Sequence, residues 1–127
     1  MSWFTTESKN HPKELGVSQL RFLGEQDGPP ERELKGRLSE FFRRDQLVSV
    51  AYLALVAYED KSIAVALCLR SQGGPDRRVA EDIGRIFASM FGGHEHLDIV
   101  FLSKAQEGEL MRVCQAFFHV GDGVRLP

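Results

Sequence analysis

Apolar and polar residues repeat with two different periods along this chain, and the periods mark its elements. Val17 to Leu23 alternates briefly around Leu20, Arg21 and Phe22 and predicts a first strand. The run Gly24-Glu25-Gln26-Asp27-Gly28-Pro29-Pro30 stops it. Asp27 or Gly28 suits a helix N-cap there, and proline suits a first turn, whose N–H groups have no intrahelical partner. Leu34, Leu38, Phe41 and Phe42 follow at i, i+4, i+7 and i+8, one face of a helix. Glu31 and Glu33 near its start and Arg43 and Arg44 near its end complement the helix dipole.

Leu47 to Tyr58 then alternates as a strand. Val48, Val50, Tyr52, Ala54, Val56 and Tyr58 point to one side, and Leu47, Ala51, Leu53, Leu55 and Ala57 to the other. Glu59-Asp60-Lys61 reverses the chain, and Ile63, Val65, Leu67 and Leu69 alternate with Ala64, Ala66 and Cys68, so the two runs form a hairpin. After the break Ser71-Gln72-Gly73-Gly74-Pro75, a stripe of Val79, Ala80, Ile83, Ile86, Phe87, Met90 and Phe91 predicts a second helix ended by Gly92 and Gly93. Leu97 to Leu102 is a short fourth strand. Ser103 and Gln106 form a capping box, and Leu110, Met111, Cys114, Phe117 and Phe118 supply the apolar face of a third helix. Gly121-Asp122-Gly123 reads as a closing turn.

The order βαββαβ plus a helix predicts an α+β domain, most simply a ferredoxin-like four-stranded antiparallel sheet with two helices on one face. The central hairpin excludes a doubly wound sheet, which needs a helix between those strands. One sheet face is expected to carry Val48, Val50, Tyr52, Ile63, Val65, Leu67, Ile99 and Phe101. The other still carries Leu53, Leu55, Ala64, Ala66, Cys68, Val100 and Leu102. An uncovered apolar face of that size is unusual on a monomer. Either the third helix folds back over it through Leu110, Cys114, Phe117 and Phe118, or a second protein covers it.

Composition narrows the function classes. The 127 residues suit one domain, with residues 1–16 a polar tail (Trp3 and Phe4 apart) and residues 17–127 the folded unit. Sixteen basic residues against eighteen acidic ones give a net charge of −2, without the basic footprint of nucleic-acid binding or of a polybasic membrane anchor. No apolar run approaches the ~20 residues that span a bilayer. Cys68 and Cys114 are too few for a disulfide framework and sit in apolar runs, which points to buried thiols and a reducing cytoplasm.

Candidate chemistry is sparse. His94-Glu95-His96 has a metal-like look, but zinc needs three or four ligands, and His11 and His119 would have to join from distant segments; a polar turn is the simpler reading. The glycine-bearing loops before the helices lack a P-loop lysine motif and carry Glu31, Glu33 and Asp76, which repel anions. Arg77 and Arg78 read as a solvated helix face, and no RNP pattern accompanies the βαββαβ order. No nucleophile stands beside an arranged base, so neither catalytic residues nor a cofactor or metal are expected.

Leu23-Gly24-Glu25, the helix approach Pro29-Pro30-Glu31-Arg32-Glu33-Leu34 and the strand Val48-Ser49-Val50-Ala51-Tyr52-Leu53 resemble the C-terminal domain of the enhanced serine sensitivity proteins, the SseB family. Leu97-Asp98-Ile99-Val100-Phe101-Leu102 resembles that family's late strand. The resemblance runs from Leu23 to about Phe118. It implies a bacterial cytoplasmic protein, named for an amino-acid-sensitivity phenotype and without established catalytic residues, so none is carried over. Two features depart from the family's pattern. Members commonly carry a separate N-terminal domain where this chain has its polar tail, and Phe117-Phe118-His119-Val120-Gly121 lacks an aromatic-basic finish.

The expectation is a non-enzymatic protein-interaction or regulatory module. It would self-associate or dock a protein partner through Tyr52, Leu53, Leu55, Phe117 and Phe118, with no nucleic-acid or membrane partner. The alternative, motivated by the family name, is a small-molecule sensor for serine or a related amino acid on a ferredoxin-like dimer.

Overall fold

In the computed structural model, which describes residues 20–120, one long strand organises the backbone pairing. The elements in chain order are β1 (Arg21–Glu25), α1 (Pro29–Asp45), β2 (Val48–Ala57), β3 (Ile63–Ser71), α2 (Arg77–Phe91), β4 (Asp98–Phe101), α3 (Lys104–Leu110) and β5 (Phe118–His119). The expected tail at 1–16, the first residues of the expected opening strand and the closing turn at 121–123 lie outside the described residues.

The protein is α+β, but its sheet corrects the ferredoxin-like expectation. The strands lie in the order β1-β2-β3-β4; β1 and β3 run antiparallel to β2, while β4 runs parallel to β3. The physical reason is α2, which carries the chain back over the sheet and delivers β4 alongside β3 as a βαβ crossover. β5 pairs with β2 as well, on the flank that β1 occupies further along. There β1 covers Ala54 to Ala57, and β5 covers Val50 and Ala51. In the gap, the Gln26 N–H donates to the Leu53 carbonyl at 3.0 Å and the Phe117 N–H to the Ala51 carbonyl at 2.9 Å. β1 also reaches further than Leu23: past a bulge between Phe22 and Gly24, Gly24 and Glu25 pair with Leu55 and Ala54.

The hairpin register sets which side chains share a face, and it differs from the faces expected. Tyr52 pairs with Cys68, Leu53 with Leu67 and Leu55 with Val65. Residues of like parity therefore stand together, because an odd number of residues separates the paired strand ends. One face carries Ala51, Leu53, Val65, Leu67 and Leu69 against Leu34, Leu38 and Phe42 of α1 and Val79, Ile83 and Phe87 of α2. A bulge between Val48 and Val50 returns Val48 to this helix face. The far face carries Tyr52, Ala54, Val56, Ala64, Ala66 and Cys68 against Leu110 and Cys114.

The far face thus has a cover supplied by the chain itself, though not by the long helix expected. α3 ends at Leu110, and turns lead from it to β5. The capping box that starts it is present: the Gln106 N–H donates to Ser103 Oγ at 3.1 Å, and the Ser103 N–H donates to Gln106 Oε1 at 2.9 Å. Phe117 and Phe118 depart from the predicted helical face for a physical reason. β2 offers unpaired backbone groups beyond the end of β1, and residues 117–120 satisfy them, with the Val120 N–H on the Ser49 carbonyl at 2.8 Å. Phe118 then packs on the helix face, its ring 5.4 Å from that of Phe42.

Candidate functional site

The turn between β2 and β3 is held from several directions. The Lys61 N–H donates to the Tyr58 carbonyl at 2.8 Å, and the Tyr58 N–H donates to the Ser62 carbonyl at 2.9 Å. Asp60 Oδ1 accepts from the Ser62 N–H at 3.0 Å and from its hydroxyl at 2.7 Å. Lys61 takes the left-handed conformation, φ 73°, that closes a three-residue hairpin loop. Beside this turn an open groove of about 410 Å³ runs along the ends of β1, β2 and β3. Leu23, Ala57 and Ile63 supply its apolar floor, and Arg21, Glu59 and Lys61 its charged rim. Leu23 is 40 % exposed, and Ile63, 48 % exposed, is the one exposed residue of β3.

Two polar clusters lie nearby. Asp98, at the start of β4, accepts from the Tyr58 hydroxyl and pairs with His96 Nε2. Burial, then the bond to Asp98, pushes the Tyr58 phenol far above its ordinary range. Farther along the far face, Glu107 of α3 accepts from the Tyr52 hydroxyl at 2.6 Å and from Arg70 Nη1 at 2.7 Å, tying α3 to both β2 and β3. Burial and this carboxylate push the Tyr52 phenol up as well. A third cluster lies at the other end of β1. Lys35 bridges Glu25 at 3.4 Å and Asp27 at 3.3 Å, and Arg32 beside Asp27 holds its carboxyl below the usual range.

The model of the SseB protein C-terminal domain matches residues 21–119. The chain belongs to this family. The match begins with β1 and ends with β5, so it takes in every described element of the SseB domain. No curated protein and no solved structure matches the chain.

Within this SseB domain the residues expected to meet a partner are dispersed. Tyr52, Leu53 and Phe118 are buried in the chain's own interior, Tyr52 on the far face and the other two on the helix face, so they present no surface. Leu55 and Phe117 are half-buried against the helix-face core. The register and β5 turn three of the five, Tyr52, Leu53 and Phe118, inward. His94 and His119 are exposed, His96 pairs with Asp98, and His11 lies outside the described residues. Among the described residues no group of three or more His, Cys, Asp or Glu could hold a metal ion. Arg77 and Arg78 are exposed on the first turn of α2. Cys68 and Cys114 are free and buried, and burial raises both thiols, Cys114 to about 12. Among the described residues no helix is long and apolar enough to cross a membrane.

The groove was not legible as a site in the sequence. Its floor comes from a bulged residue of β1 and the first residue of β3, which read as ordinary strand positions. The one available signal was the turn itself. Counting three residues between Tyr58 and Ser62 fixes the parity of the hairpin and places Ala57 and Ile63 opposite each other at its end.

Proposed function

We propose that this SseB C-terminal domain acts by binding rather than by catalysis, as a protein-docking module whose contact surface is the groove at the hairpin end. One observation carries the reading: an exposed apolar floor of Leu23 and Ile63 lies beside a hydrogen-bonded turn and inside a charged rim. Protein interfaces have that anatomy, with apolar centres and polar rims. Exposed apolar side chains gathered in one place mark contact surfaces more often than singly scattered ones do. The polar clusters support the same reading: Glu107 ties α3 to β2 and β3, Asp98 ties the start of β4 to the end of the hairpin, and both so hold the scaffold in shape. Two free thiols in the interior support a reducing, cytoplasmic setting.

The test is a photo-crosslinking amino acid placed at Leu23 in the native host. A discrete protein adduct is expected there, against none from the same group placed at Arg78 on α2. Equal yields at the two positions, or none at Leu23, would defeat the docking reading.

A further inference from the structure

We infer that the partner received by the hairpin-end groove is a second copy of this chain, the two grooves meeting across a two-fold axis. The inference rests on the docking reading above and names its partner. A two-fold interface is made by one patch meeting itself, so the patch must be complementary to its own image. That requires an apolar centre and, away from it, charges of both signs.

The groove satisfies both conditions. Leu23 and Ile63 give the centre, and the rim carries two cations, Arg21 and Lys61, and one anion, Glu59. Among the described residues no ion pair engages any of these three, whereas Glu25, Asp27, Arg32 and Lys35 at the other end of β1 engage one another. Facing copies set Glu59 of each against one cation of the other, so one pair of opposite charges forms on each side of the axis and the second cation of each rim stays at the solvent-exposed edge. A partner of single-sign charge would leave part of the rim opposed by a like charge, which costs affinity and selects against it. The backbone of the turn that carries Glu59 and Lys61 is already fixed by its own hydrogen bonds, so little backbone freedom is lost on contact.

Sedimentation velocity and light scattering on the full chain across a concentration series test the inference. The expected species at high concentration has twice the 14.3 kDa chain mass. Glu59→Lys makes the rim wholly cationic, and Arg21→Glu with Lys61→Glu makes it wholly anionic. Each variant alone should dissociate at least tenfold more readily than the natural chain. Mixed in equal amounts the two should pair at least as tightly as the natural chain, a rescue that misfolded variants could not produce.

A dimer indifferent to these charge reversals and to Ile63→Asp would overturn the inference, because its interface lies elsewhere. A chain that stays monomeric at every concentration would overturn it too. In that case a crosslink from Leu23 to a protein of other mass keeps the docking reading alone, and no crosslink removes both.

Discussion

A Cβ placed on Gly28 would sit 2.5 Å from Oε1 of the buried Glu31, and the backbone there has φ +153°, a region L side chains rarely adopt. Glu31 is 4 % exposed and accepts from Gln26 Nε2 at 2.8 Å, so it has little room to retreat. Gly28 is thus the residue that lets the chain turn from β1 into Pro29 and Pro30 of α1. The reverse situation holds at the other end of that helix, where Gln46 takes φ 66° at the C-cap and carries a side chain that position does not favour. The two sites predict opposite signs. Gly28→Ala should destabilise by about 1–3 kcal/mol, whereas Gln46→Gly should stabilise by about 1 kcal/mol. Urea denaturation of both variants checks this, and a Gly28→Ala chain as stable as the natural one would refute the argument.

Among the elements, β5 is the smallest and holds more than its length suggests. Its Phe118 is 6 % exposed and packs on Phe42, while neighbouring backbone groups fill the flank of β2. Phe118→Ala should destabilise by about 3–5 kcal/mol, the usual range for emptying a buried aromatic site, as read by thermal melting. Phe117, half-buried with Lys35 6.0 Å from its ring centre, should tolerate the same change far better.

Periodicity made most elements legible because α1, β2, β3 and α2 are long, and each repeats its apolar spacing several times. It misjudged α3 because Leu110, Cys114, Phe117 and Phe118 happen to follow a helical spacing, while their partners lie on both sheet faces. No local pattern announces that a strand elsewhere has an unfilled flank. The faces of the hairpin are a different case. The parity was present in the three-residue turn, and placing Tyr52 on one face with Leu67, and Cys68 on the other, overlooked it. Both the strand order and the groove depend on which strands become neighbours, which is a property of the assembled sheet.

At the scale of the whole molecule, the far side of the sheet gathers Tyr52, Cys68 and Cys114 in one interior layer, with Tyr58 packed at its margin. All four groups have folded pKa values raised above the ordinary 10.0 of the phenols and 9.0 of the thiols, with burial the largest cause in each. The unfolded chain therefore releases these protons first, and the folded chain binds more of them. Stability from this source is fully present below pH 9 and falls as pH rises through the 9–10 range and beyond. Melting temperatures should decline steeply above pH 9. Tyr52→Phe combined with Tyr58→Phe should flatten the decline above pH 10, and an unchanged slope would contradict the assignment.

The shared flank of β2 has a mechanical consequence. β1 enters opposite Ala57 and β5 leaves opposite Val50, about 24 Å apart along the strand at ~3.4 Å per step. Tension applied at residues 20 and 120 therefore pulls both short strands lengthwise along β2, in shear, instead of peeling their hydrogen bonds one at a time. With two pairs against four, β5 slips before β1, so a stretched chain should surrender its C-terminal latch while the hairpin and its helices stay intact.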